Sequence, residues 1–198
     1  MKKWLIPLII VVVVVLALFS CVTGPYNRMV EMDEQVKAAW SQVENVYQRR
    51  ADLIPNLVET VKGYAAHESE TLTAVTEARA RLGGSITLSA DTLSDPQAFA
   101  RFQQAQNELS GALQRLMMVT ENYPDLKANQ NFLALQDQLE GTENRITTER
   151  QRFNQAAQGY NTYIRRFPQR LIAGFGGFEA RPYFEAAPGA EVAPRVEF

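Results

Sequence analysis

From Trp4 to Val22 the chain contains no charged residue, and Val11 to Val15 is an unbroken run of valine. Nineteen residues at about 1.5 Å each extend roughly 28 Å as a helix, close to the thickness of a bilayer's hydrocarbon core. Lipid offers no partner to an unpaired backbone amide, so a segment of this kind must be helical where it crosses. Pro7 falls in the first turn, where a missing N–H costs little, and Trp4 stands where an interfacial aromatic is favoured. Lys2 and Lys3 precede the segment, while Glu31, Asp33 and Glu34 follow it. That asymmetry predicts an N-terminus inside, with the bulk of the chain outside the cytoplasm.

Two processed forms compete with an uncleaved span. Val22-Thr23-Gly24 offers small residues for signal cleavage, but Pro25 would follow the cut. Leu18-Phe19-Ser20-Cys21 resembles a lipobox, with Phe19 where a smaller residue is usual. Cys21 is therefore a candidate lipidation site, and a lipoprotein is the alternative anchor. Residues 1–3 are then a short flank, 4–23 the transmembrane anchor or lipoprotein signal, and 26–185 the folded domain.

Beyond the anchor the reading is helical nearly throughout. Steps of three and four from Tyr26 pass through Met29, Asp33, Val36, Trp40, Val43, Tyr47, Arg50, Ile54, Leu57, Val61, Tyr64, Glu68, Thr71, Val75, Ala78 and Leu82, a stripe of a/d type. The stripe keeps its phase through Pro55, which predicts a kink there rather than a hairpin, with a fresh helix capped by Asp52 and starting near Pro55 as the alternative. Gly83-Gly84 is the expected end of that helix, and residues 85–94 the following loop. Ser94-Asp95-Pro96-Gln97 reads as a helix start, with a capping side chain and proline in the first turn. The next stripe, Phe99, Phe102, Gln106, Leu109, Leu113, Leu116 and Thr120, stops at Tyr123-Pro124. A last helix over 125–167 carries Phe132, Leu135, Leu139, Thr142, Ile146, Glu149, Phe153, Ala156, Tyr160, Tyr163 and Phe167. Short connections between long amphipathic helices imply antiparallel neighbours. The predicted fold is all-α: an elongated antiparallel bundle of three or four long helices preceded by the transmembrane helix. The glycines of Leu171 to Phe178 predict a loop folded over one end of the bundle, with contact to a partner or membrane surface as the sharper alternative. Residues 186–198, rich in Ala, Pro and Glu, are expected to be a disordered tail.

These segments carry a family resemblance. Ala39-Trp40-Ser41-Gln42-Val43 leads into Arg49-Arg50-Ala51-Asp52-Leu53-Ile54-Pro55-Asn56-Leu57-Val58-Glu59, and Gly63-Tyr64, His67-Glu68 and Ala78-Arg79 follow. Later come Leu126-Lys127-Ala128-Asn129, Thr142-Glu143-Asn144-Arg145-Ile146, Tyr160-Asn161, Phe167-Pro168, Gly177-Phe178 and Tyr183-Phe184. Over Tyr26 to Glu185 the chain resembles the LemA family of bacterial membrane proteins. The resemblance implies a single-pass anchor and a helical bundle, and brings no established enzymatic activity with it.

The chemistry the chain offers is sparse. Cys21 is the single cysteine and His67 the single histidine, which leaves no disulfide framework and no zinc-ligand set. His67-Glu68 lacks the second histidine one turn on, since Thr71 stands there. Gly174, Gly176 and Gly177 lack the Lys-Ser/Thr of a phosphate loop. Setting aside Lys2 and Lys3, 18 basic residues face 22 acidic ones, without a basic run. No nucleic-acid partner is expected on these charges, because phosphate binding needs clustered Lys and Arg. No catalytic, cofactor or metal residues are expected.

Charges on the core stripe, Asp33, Arg50, Glu68 and Glu149, are expected to reach the bundle edge, with a polar layer fixing helix register as the alternative. Arg50 is expected to pair with a carboxylate on another helix. Arg49, Asp52 and Asn56 beside Pro55 form the candidate partner surface. The expected function is a non-enzymatic scaffold or adaptor in the inner membrane that binds other envelope proteins. The alternative is a docking factor for a membrane hydrolase or stress-response protease.

Overall fold

The computed structural model describes residues 5–85 and 90–185. The N-terminal flank, the expected tail at 186–198 and the middle of the predicted loop lie outside them. The described chain is all-helical, with α1 at Leu5–Lys62, α2 at Ser69–Ser85, α3 at Pro96–Thr120, a short α4 at Pro124–Lys127, α5 at Gln130–Arg165 and α6 at Gln169–Gly176. A 3-10 turn at Ala90–Leu93 precedes α3.

Helix α1 has 58 residues, which is about 87 Å at the standard rise. It begins as the apolar segment and continues without a break into the folded domain, passing both Pro25 and Pro55. Leu8, Ile9, Val11, Val13, Leu16 and Phe19 are exposed, so these side chains are left for a surrounding other than the chain itself. From Met29 onward the expected stripe is the buried face: Met29, Asp33, Val36, Trp40, Val43, Tyr47, Arg50, Ile54, Leu57 and Val61 are all buried.

Pro55 is a position within the helix, as its phase implied. A proline has no N–H to offer the carbonyl four residues earlier. That carbonyl, on Ala51, accepts instead from Arg79 Nε of α2 at 2.9 Å. The chain turns beyond it, at Gly63–Glu68, where no turn was expected. Tyr64 and Ala65 both donate to the Val61 carbonyl, closing the helix end. The turn escapes a phase count because Val61 and Glu68 are spaced like two helical turns, so the stripe looks continuous across it.

Helix α2 runs back along α1 and extends through Gly83-Gly84 to Ser85. At the start of α3, Asp95 accepts from the Gln97 amide at 2.8 Å and Pro96 occupies the first helical position, as the sequence indicates. The last long helix starts at Gln130 rather than 125. Asn129 caps it, accepting from the Phe132 amide, after the single turn of α4. Helix α5 then lies along α1 in the opposite direction, and α3 along α2.

Two apolar clusters fill the interior. One joins Met29, Trp40, Tyr47, Phe99, Phe102, Phe153 and Tyr160, among others, and the second joins Ile54, Leu57, Val75, Leu109, Leu116, Phe132 and Leu139. Trp40 is the centre of the first, with the rings of Phe99, Phe102, Phe153 and Phe184 at centroid distances of 5.3–6.0 Å. Aromatic contacts in this range add to the area they bury.

The segment from Leu171 to Phe178 departs from expectation: it is helical through Gly176 rather than a loop. Gly177, at φ 71°, supplies the left-handed cap that ends the helix. Phe178 donates its amide to the Ala173 carbonyl. The glycines that suggested a loop are this cap and its approach. Phe167, expected in the core, is exposed, because α5 ends at Arg165 and the chain leaves the helix before α6 begins.

Candidate functional site

Arg50 sits between the two apolar clusters and is itself buried, not extended to the bundle edge. Its Nη1 donates to Ser110 Oγ and to Glu143 Oε1, each at 2.8 Å, and its Nη2 donates to Gln106 Oε1. The carboxylate partner on another helix is Glu143 of α5. Gln106 and Thr142 are also buried. One cation thereby ties α1, α3 and α5 together at a fixed height. Sliding any of them by one turn would strand a buried guanidinium, which is the physical basis of a register layer. Glu143 is half-exposed, so the pair adds little through charge alone and most through hydrogen bonding.

A second polar cluster holds the chain after α6. Arg181 donates Nε and Nη2 to Asp33 Oδ1 at 3.0 and 2.7 Å, and Nη1 to the Leu93 carbonyl and Ser94 Oγ. Asp33 also meets Lys37 Nζ at 3.1 Å. Two asparagines on α5, two helical turns apart, treat the segment like a neighbouring strand. Asn161 accepts from the Arg181 amide and donates to its carbonyl, both at 2.8 Å. Asn154 does the same to Phe184, at 2.9 Å each way. Phe184 is thereby driven into the aromatic cluster, with Arg150 over its ring at 4.8 Å. This strap, residues 178–185, has no helical or strand period, so no periodicity could reveal it. The signal available was the pairing of Asn154 and Asn161 at one helical face.

Glu68 accepts from the Tyr123 hydroxyl at 2.9 Å, and Glu149 pairs with Arg152 one turn on at 2.7 Å. His67 is exposed in the turn after α1. Among the described residues no three His, Cys, Asp or Glu side chains converge as a metal site.

Arg49, Asp52 and Asn56 are all exposed on α1. Their spacing of three and four puts them on one face, away from the buried stripe. Asp52 accepts from Gln48 at 2.8 Å. Cys21 is exposed on α1, at the end of the apolar segment. It lines an apolar groove of ≈ 480 Å³ between α1 and α6. Sequence reasoning found Cys21 but not the groove, since the second wall comes from a helix it read as a loop.

The LemA family model matches residues 39–198. Magnetosome protein MamQ 2 of Paramagnetospirillum magneticum is 29% identical over 199 residues, covering 93% of this chain and 73% of the relative. Magnetosome protein MamQ of Magnetospirillum gryphiswaldense is 29% identical over 181 residues, covering 84% and 66%. Protein LemA of Metamycoplasma hominis is 23% identical over 150 residues, covering 76% and 64%. The matched family segment takes in the register layer, the asparagine pair and the strap, and the chain belongs to the LemA family.

Proposed function

We propose that this chain is a membrane-anchored, non-enzymatic scaffold of the bacterial envelope, an up-and-down bundle of four antiparallel helices that presents a binding surface to other envelope proteins. The observation that carries this reading is the continuity of α1 from Leu5 to Lys62. A flexible linker would let the bundle wander, whereas a helix shared by span and bundle holds the bundle's surfaces at set heights and angles. The buried polar groups, Arg50 and the Asp33–Arg181 pair, are engaged in holding helices and strap together rather than aimed into a pocket. The Lys2 and Lys3 flank favours a bundle outside the cytoplasm, and Arg49, Asp52 and Asn56 are the surface assigned to partners.

A photo-reactive side chain placed at 49, 52 or 56 of the full chain, in intact membranes, tests the reading. Discrete protein adducts are expected from these positions and not from Asp137, which is exposed on α5, and the Asp52→Arg change should weaken adduct formation at 49 and 56. Adducts equally frequent at Asp137, or none at the three positions, would overturn the assignment of this surface.

A further inference from the structure

We infer that α6 is an interfacial membrane helix, lying in the headgroup layer beside the point where α1 leaves the bilayer, with phospholipid occupying the groove between them. The inference rests on the anchor proposed above.

Ala173 is buried, and α6 packs on α1 and α5, which fixes which way the helix faces. At 100° per residue, Leu171 and Phe175 point away from that contact. Phe175 is 96% exposed, Phe167 83% and Leu171 57%. Single exposed apolar residues are ordinary on a protein surface, but Leu171 and Phe175 share one face of α6, with Phe167 exposed just ahead of the helix, an accumulation of the kind that marks an interaction site.

The position of the patch selects its occupant. The groove beside it is lined by Cys21, Val22, Tyr26, Leu171, Ile172 and Phe175, among others. Cys21 and Val22 are close to the end of the uncharged run, so the groove opens where the span meets the interface. A protein partner seated on Phe175 would have to intrude into the lipid layer around the span. Arg165, Arg166 and Arg170 are exposed and stand among the apolar triplet. Cations flanking an apolar face match the headgroup phosphates above and the acyl chains below, the pattern of helices that lie roughly 5–10 Å into the interface.

The helix is also fastened in that place. Tyr26 meets the Phe178 ring edge-on at 5.4 Å, and the same ring packs over Gly176, where an added Cβ would come within 2.8 Å of it. Helix α6 thus cannot swing away from α1 without breaking the joint at Gly176, Phe178 and Tyr26. Two contacts with the membrane, one crossing and one lying along it, would fix the bundle's tilt as well as its height.

Spin labels on the full chain in phosphatidylglycerol-containing vesicles test this directly. In a Cys21→Ser background, a label is placed at Val12, Leu171, Phe175 or Asp137 by cysteine substitution, and its collision with oxygen and with a water-soluble nickel chelate is measured. Labels at 12, 171 and 175 are expected to favour oxygen, with 171 and 175 shallower than 12, while 137 favours nickel. Lipid exposure at 12 with nickel access at 171 and 175 would overturn the inference and leave the anchor standing. Shielding of 171 and 175 from both reagents would mean a protein covers them, which also overturns it. Nickel access at 12 would sink the anchor and the inference together.

Discussion

Pro55 and Arg79 are coupled although they stand on different helices: the proline frees the Ala51 carbonyl and the arginine Nε fills it at 2.9 Å. Arg79→Leu leaves that carbonyl without a partner, and a stability loss of about 1–3 kcal/mol is expected in denaturant unfolding. Pro55→Ala restores an N–H to the helix, so the same Arg79→Leu change should cost less in that background. Additive losses in the double-mutant cycle would show that the two residues are independent. Tyr160 supplies a second residue-scale prediction. Its hydroxyl is buried without a hydrogen-bond partner among the described residues. Burial, followed by the nearby Asp33 carboxylate, pushes its pKa from the usual 10.0 up to about 12. The unfolded chain therefore releases this proton first. Stability owed to the group is constant below the unfolded pKa, near 10.0, and falls as pH rises from there toward about 12. Tyr160→Phe should flatten that part of the stability curve by on the order of 2 kcal/mol and cost little at neutral pH. A variant curve parallel to the wild type across this alkaline window would contradict it.

At the scale of elements, what could be read depended on whether a segment carried a period. Every α1 stripe position from Met29 to Val61 is buried, and so is every α3 position from Phe99 to Thr120, because each face packs inward along its length. On α5, Leu139, Thr142, Ile146, Phe153 and Tyr160 follow the expected stripe, which slips by one position towards its end: Ala157 and Ile164 are buried, where Ala156 and Tyr163 were expected. A 3.5-residue count drifts against a 3.6-residue helix, and one position of slip accumulates over a helix of this length. The turn at Gly63–Glu68 was hidden by its spacing, and α6 by its glycines. The strap was illegible for a different reason, since its order comes from contacts with residues distant in sequence, Asn154, Asn161 and Asp33, rather than from a period of its own. Replacing either asparagine by alanine is expected to strand two backbone groups of the strap. Hydrogen exchange should then accelerate across 178–185 while α2 and the second half of α3, which pack in the other apolar cluster around Val75, Leu109 and Leu116, keep their protection. Uniform acceleration across both regions would mean that the strap is integral to global stability and not a separately fastened piece.

For the whole molecule, the arrangement assigns different tasks to different lengths of one helix. The beginning of α1 is exposed and apolar, the remainder is the spine of two apolar clusters, and the Arg50 layer holds α1 in register with α3 and α5. The proposed partner surface at Arg49, Asp52 and Asn56 lies at the height of that layer, where the helices are most firmly indexed to one another. From Val22 to Asp52 is 30 residues, or about 45 Å of helix, which sets the reach of the surface from the end of the apolar run. That geometry was within reach of the sequence once the apolar segment and the stripe were both seen to be helical. What the sequence could not show is that Pro25 leaves the helix unbroken between them.

The continuity of α1 across the membrane boundary is the claim on which the scaffold reading stands. Spin labels at Val12 and Asn45, both on exposed positions of α1, are separated by 33 residues and therefore by about 50 Å along an unbroken helix. Pulsed dipolar spectroscopy on the full chain in vesicles, in the Cys21→Ser background, should give one narrow distribution near that distance. A broad distribution, or one centred well below it, would mean that the chain bends or melts between span and bundle, and that the bundle is tethered without being held.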